Sequence, residues 1–277
     1  MFERLSRGWD LAMESCQILR KDKQLLVFPI LSGISSLLVM GSFIAPLWAT
    51  GYIERIAQRQ EQWQSPLAWV ILFAYYAVNY FVIVFFNSAL VACALTRFRG
   101  GEPTVNDGLR VAVSRLPVIV AWALVSATVG VVLKLGESYS KKGSEFLSAI
   151  MGVVWSVATF FIVPVLVIEN LGPIDAVKRS AKMIADTWGE SFVADLGIGL
   201  VSFLAAIPGF ALCIFGGMLI ARGNAPVGAA LLLPGILALI LVSLISSVLE
   251  IIARTGLYLQ AADEKVIRKF ERQLLGE

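Results

Sequence analysis

The chain has 277 residues, 58% of them hydrophobic and 16% charged, with 23 lysines and arginines against 20 aspartates and glutamates. Ordinary soluble domains carry about 25% charged residues, so a water-soluble fold is excluded for want of polar surface, and several apolar runs exceed the roughly 20 residues that cross a hydrocarbon core as a helix. No histidine is present, which removes the commonest transition-metal ligand and the usual general base, and no cofactor or metal is expected.

Residues 2–20 read as an amphipathic helix, with Phe2, Leu5, Trp9, Ala12, Cys16 and Leu19 on one stripe. The apolar segment 25–49 that follows is far longer than the 7–15-residue core of a signal peptide. It is expected to stay attached as the first span. A second span covers 66–96 and carries two amides, Asn79 and Asn87; an amphipathic helix over 104–115 then leads into a third span at 116–135. The fourth span, 147–168, ends at Glu169, and a third amphipathic helix covers 173–188 with Ile174, Val177, Ala181, Ile184 and Trp188 at helical spacing. Pro173 suits the first turn of that helix. Spans five and six are 191–221 and 226–252, followed by a charged tail, 253–277. The expected fold is all-α, a single polytopic membrane domain over 1–277 with six transmembrane helices and amphipathic interface helices.

Seventeen lysines and arginines fall on the side of the N-terminus, the 97–115 and 169–190 segments and the tail, against six on the other side: Arg55, Arg59, Lys134, Lys141, Lys142 and Arg222. The positive-inside rule then puts both termini in the cytoplasm. The basic residues are dispersed between apolar runs without an aromatic-lined groove, so no nucleic acid is expected as partner. Three cysteines, Cys16, Cys93 and Cys213, imply no disulfide framework.

The segments that precede spans one, three and five share a spacing. Asp10, Asp107 and Asp175 are followed five residues later by Ser15, Ala112 and Ser180, and nine later by Leu19, Leu116 and Ile184. Three copies of one unit, an interface helix feeding a two-span hairpin, would give this pattern. Amphipathic juxtamembrane helices that are alike for physical reasons alone would give it too.

The stretch "WSVATFFIVPVLVIENLGPIDAVKRSAKMIADTWGE", residues 155–190, resembles a family of uncharacterised bacterial membrane proteins, a domain of unknown function, and "RGWDLAMESCQILRKDKQLLVFPILSG", residues 7–33, resembles that family's N-terminus. The family is similar to the membrane domain fused to some glycerophosphodiester phosphodiesterases. The resemblance implies a six-helix fold in the bacterial cytoplasmic membrane and no activity, since the phosphodiesterase catalytic domain has no counterpart in this sequence.

Ionisable groups near spans are the first places to look for function. Glu169, Asp195, Glu250 and Arg254 lie at span ends, and Lys178 and Arg179 belong to the same side, so these six form a candidate polar cluster. Glu169 closes a helix whose macrodipole disfavours a carboxylate there, and Lys178, Arg179 or Arg254 could compensate it. Asn79 and Asn87 are candidates for a polar path or for interhelical hydrogen bonds. Ala205, Gly209, Cys213, Gly217 and Ala221, every fourth position of span five, offer a close-packing face, within the bundle or between copies in a homo-oligomer. Pro208-Gly209 could break or tilt that span.

Enzyme signatures are missing: no phosphate loop ends in Lys-Ser or Lys-Thr, and no catalytic residue is nominated. The expectation is a non-enzymatic membrane protein. A transporter or permease is motivated by the spans, prolines and intramembrane amides; the alternative is a lipid-interacting or scaffold protein acting through its interface helices. Membrane lipids are the expected partners.

Overall fold

The computed structural model of the protein describes residues 13–51, 66–139, 144–262, 264, 266–268 and 270, with the side chains of 136–148 and 188–196 outside that description. Phe2, Leu5, Trp9, Asp10, Ala12, Arg55, Arg59, Lys141, Lys142 and the tail beyond residue 270 likewise fall outside it. Among the described residues every regular element is helical. Helix α1 (residues 13–21) leads through a 3-10 turn, Lys23–Leu26, into α2 (Val27–Ala49). Then come α3 (Pro66–Phe98), α4 (Val105–Ser114), α5 (Leu116–Tyr139), α6 (Ser144–Ala158), a short α7 (Ile162–Glu169), α8 (Pro173–Ala221) and α9 (Ala225–Ala261).

Five helices are long and apolar enough to cross a membrane: Lys23–Ala49, Pro66–Phe98, Leu116–Leu135, Gly197–Ala221 and Ala225–Ala261. A sixth is reached when Ala149–Ala158 and Ile162–Glu169 count as one span, but these two are bent by 43° at a break between them. The segment expected as the fourth span, 147–168, is therefore two helices that meet at a bend. Pro164 explains it: proline's ring clashes with the carbonyl four residues back, whereas in a first turn its missing N–H costs nothing. The chain turns at Thr159–Phe161 and restarts at Ile162, placing Pro164 in that first turn.

A second correction concerns span five. The interface helix at 173–188 and the span at 191–221 are one continuous helix of 49 residues, about 74 Å at 1.5 Å per residue. The expected boundary rested on a change of hydropathy, yet the junction holds no proline, and an interior glycine such as Gly189 costs only about 1 kcal/mol. The helix also runs through Pro208 without a break.

Sharp stops come from glycine. Gly100 and Gly223 have φ of 81° and 87°, the left-handed conformation that ends helices in the Schellman pattern. Gly101 N–H donates to the Thr96 carbonyl after α3, and Asn224 N–H to the Leu219 carbonyl after α8, each at 3.0 Å or less. Helix α4 starts on a capping box in which Thr104 and Asp107 exchange side-chain and backbone hydrogen bonds. The Thr104 hydroxyl and N–H, both donating to Asp107, hold its carboxyl below the usual carboxylate range.

Burial is lopsided. The most buried stretches are the C-terminal half of α3 (Ser88–Leu95), Pro164–Ile168 with Phe161 and Ile162, and the last turns of α9, including Ile252, Leu257 and Tyr258. Around these lie α1, α4, the start of α5 and the first half of α8. Topology brings all of them to one end of the bundle, the packed end. At the opposite, open end, α2, α8 and α9 leave large apolar side chains uncovered, among them Leu38, Trp48, Phe203, Phe215 and Leu233. Side chains that stay apolar where the protein does not cover them are what a helix facing lipid requires.

The inner face of α8 is rotated from its expected stripe. Ala176, Ser180, Met183 and Thr187 are buried, with Ile184, whereas Ile174 is 70% exposed. On α1, Ser15, Ile18 and Leu19 are buried and Cys16 only half so. The positions shared by the recurring pattern, Ser15, Ala112 and Ser180, are all fully buried.

The small-residue face of α8 enters the bundle only in part. Every fourth position advances about 40° around a helix of 3.6 residues per turn, so a ladder of that spacing drifts off any straight seam. The observed α8–α9 seam runs through Gly209, Cys213 and Gly216 against Gly228, Gly235 and Leu239; a Cβ on Gly216 would stand 2.8 Å from the Gly228 carbonyl. Ala205, Gly217 and Ala221 are exposed, and a Cβ on Gly217 would meet nothing within 4 Å.

The tail is shorter than expected. Residues 253–261 complete α9, and Ile267 and Phe270 are buried at 3% and 2% exposure, so the chain after α9 packs back onto the bundle.

Candidate functional site

At the break between α6 and α7 the backbone leaves regular geometry inside the core. Beyond Pro164, Val165–Glu169 winds as a π-turn and stops at Asn170, which is left-handed with φ 53° and ψ 39°. Asparagine is the residue after glycine that best tolerates that conformation. Breaks and π-turns strand backbone donors and acceptors, and such groups cannot stay unpaired out of water. Here the surrounding helices supply the partners. The Phe161 N–H donates to the Ser180 hydroxyl of α8 at 3.0 Å, and the Nε–H of Arg115, between α4 and α5, donates to the Val167 carbonyl at 2.9 Å. Burial lowers the pKa of the Arg115 guanidinium, which also stands 5.6 Å from the Phe270 ring.

Glu169 ends the π-turn at the negative pole of a helix, with 10% of its side chain exposed. Its Oε1 accepts from the Nε–H of Arg179, on α8, at 2.9 Å and from the hydroxyl of Tyr258, on α9, at 2.9 Å. The hydrogen bond that Arg179 donates to Glu169 pushes the guanidinium pKa above its ordinary value, against the opposing effect of burial. One carboxylate therefore ties three helices together, and the charge that the dipole disfavours is offset by a charge-assisted pair.

The remaining nominated residues go elsewhere. Lys178, adjacent to Arg179 but about 100° around the helix, pairs with Asp175 at 3.5 Å on an exposed surface. Glu250 and Arg254 pair with each other at 3.5 Å one turn apart, and Arg254 lies 4.6 Å over the Phe160 ring. The Asp195 side chain is outside the described residues. Asn79 and Asn87 sit half-buried on α3, and among the described residues no hydrogen bond joins either to Glu169. The Asn79 Oδ1 is shielded and has no partner among those residues.

Two residues of the node were not nominated from sequence. Tyr258 extends the Glu250, Arg254 series by one more step of four, and that polar stripe on α9 was the available signal. Arg115 carried none beyond its position between two helices. A separate pair, Asp22 with Arg97 at 2.7 Å, fastens the start of α2 to the end of α3. Trp122 of α5 and Trp155 of α6 stack with centroids 5.7 Å apart and planes at 5°, bracing the helix that precedes the break.

The helices and the way they bury their polar groups define an α-helical membrane protein. Its sequence matches the Family of unknown function (DUF6159) over residues 67–267. The match covers most of the chain, and the chain belongs to that family. It takes in α7, Glu169, Arg179 and Tyr258, while α1 and α2 precede it. No curated protein matches the sequence.

Proposed function

We propose that the protein is a lipid-interacting protein of the bacterial cytoplasmic membrane, a binding protein and not an enzyme, with its packed end in the cytoplasm. The observation that carries this reading is a groove of about 320 Å³ on α9, open sideways and lined by Ile236, Leu239, Ile240, Ser243 and Leu244. It is shallow and open, unlike an enclosed small-molecule site, and its apolar lining with one hydroxyl at the edge suits an acyl chain lying along it. A transporter would use a broken helix to line a polar path. At the α6–α7 break the backbone groups of Phe161 and Val167 are instead occupied by Ser180 and Arg115, which favours the lipid reading. The burial of Ser15, Ala112 and Ser180 at equivalent positions supports a six-span fold made of three interface-helix and hairpin units.

The groove is tested by mass spectrometry of protein purified in mild detergent. The native protein and Leu237→Trp, which alters an exposed side chain outside the groove, should carry phospholipid in stoichiometric amount, and Ile240→Trp should lose it. Equal lipid in all three would sink the reading. Orientation is tested separately, in a variant without native cysteines. Asn224→Cys should react with a membrane-impermeant thiol reagent added to intact cells and Lys182→Cys should not; the reverse labelling would invert the assignment.

A further inference from the structure

Between α1 and α2 the chain carries four consecutive charges, Arg20, Lys21, Asp22 and Lys23. The single acid among them is turned inward. Asp22 Oδ2 pairs with the Nε of Arg97 at 2.7 Å, with 11% of the Asp22 side chain exposed, and Arg97 donates in addition to the Gly101 carbonyl. One residue past the run, the Gln24 amide donates to the Pro103 carbonyl, so the segment is clamped to the loop between α3 and α4. Arg20, Lys21 and Lys23 are left exposed, and none of them has an ion pair or hydrogen bond among the described residues. Two other exposed cations have acids beside them: Lys178 has Asp175 at 3.5 Å and Arg268 has Glu264 at 2.7 Å.

Lys23 is also the first residue of the first membrane-crossing helix, Lys23–Ala49. A basic residue at that boundary lies at the depth of headgroup phosphates, where an anionic leaflet attracts it. We propose that Arg20, Lys21 and Lys23 form a binding site for the phosphate of an anionic phospholipid, presented by a segment that the Asp22–Arg97 pair holds in place. Three cations within four residues can surround one phosphodiester, and removing Asp22 from the surface takes away the group that would repel it. A purely topogenic role would be served by cations anywhere on that side and would need no clamp. The site depends on the lipid-interacting reading but uses no residue of the α9 groove, so the two can fail separately.

The test uses the full chain, purified and delipidated in detergent, with its melting temperature followed as lipid is titrated in. Phosphatidylglycerol should raise it saturably and at lower concentration than phosphatidylcholine, whose acyl chains can still enter the α9 groove; inorganic phosphate at equal concentration should not raise it. The triple variant Arg20→Gln, Lys21→Gln, Lys23→Gln should shift the phosphatidylglycerol midpoint by about a hundredfold, roughly fivefold for each cation near an anionic surface. Lys178→Gln with Lys182→Gln should leave the midpoint in place. A lipid-free melting temperature near the native one shows that the triple variant is folded; if it is not, the three single variants, each with a fivefold shift, carry the test. An unshifted midpoint in the triple or single variants, or an equal response to phosphatidylcholine or to inorganic phosphate, would overturn the proposal.

Discussion

Glu169→Gln should lower the melting temperature of the detergent-solubilised protein by several degrees. The substitution keeps the shape of the side chain and its capacity to accept from Tyr258, but it leaves the Arg179 guanidinium, 27% exposed, without its counter-charge. Breaking a fully buried pair from one side costs about 3–5 kcal/mol; since Arg179 keeps some contact with solvent, a loss of about 1–3 kcal/mol is expected here. Adding Arg179→Gln should recover part of it, because the uncompensated charge is then gone. Tyr258→Phe should cost less, having removed one neutral donor and left the ion pair. Should Glu169→Gln melt where the native protein does, the carboxylate is a solvated charge at a helix end and the three-helix node has no energetic meaning.

The second large effect is steric. Gly108 is where α4 lies on α3: a Cβ there would stand 2.6 Å from Cys93 Sγ, 2.7 Å from the Ala89 carbonyl oxygen and 2.9 Å from Phe28 Cζ. Side-chain atoms can move aside, whereas the carbonyl belongs to the backbone of α3. Gly108→Val should therefore push α4 off its seat, at the upper end of the ~1–3 kcal/mol typical of overpacking. Gly33→Ala, on α2 with nothing within 4 Å of the added carbon, should leave the protein unchanged or raise stability slightly through helix propensity. Matching melting curves for the two variants would mean that α4 is not held against α3 in solution.

What could be read in advance depended on how far each feature reaches along the chain. Apolar runs mark α2, α3, α5 and α9 because hydropathy over 20 residues is a local property. The union of 173–188 with 191–221 was missed because polarity changes there while the backbone does not. Glu169 drew attention as a carboxylate at a helix end, and three cations were nominated for it. Lys178 and Arg179 are neighbours in sequence, and choosing between them requires knowing which face of α8 turns inward. That face is set by Ser180 meeting the N–H of Phe161 across the break, a contact between residues 19 positions apart. Tyr258 is 89 positions from Glu169, and nothing local announces such a partner.

The packed end draws its core from both extremities of the chain: Ile18, Leu19 and Leu25 belong to the same cluster as Ile267 and Phe270. During synthesis the early residues emerge long before the late ones exist. The α8–α9 hairpin, closed by a three-residue turn, can zip from contacts close in sequence, which is fast. The junction of these segments has to wait until Ile267 and Phe270 have been made, and until then the inward sides of α1, α4 and the C-terminal half of α3 lack their final covering. The order of synthesis is thus written into the fold: the α8–α9 hairpin can form from neighbours in sequence, and the enclosure at the packed end closes only once the segment that carries Ile267 and Phe270 exists.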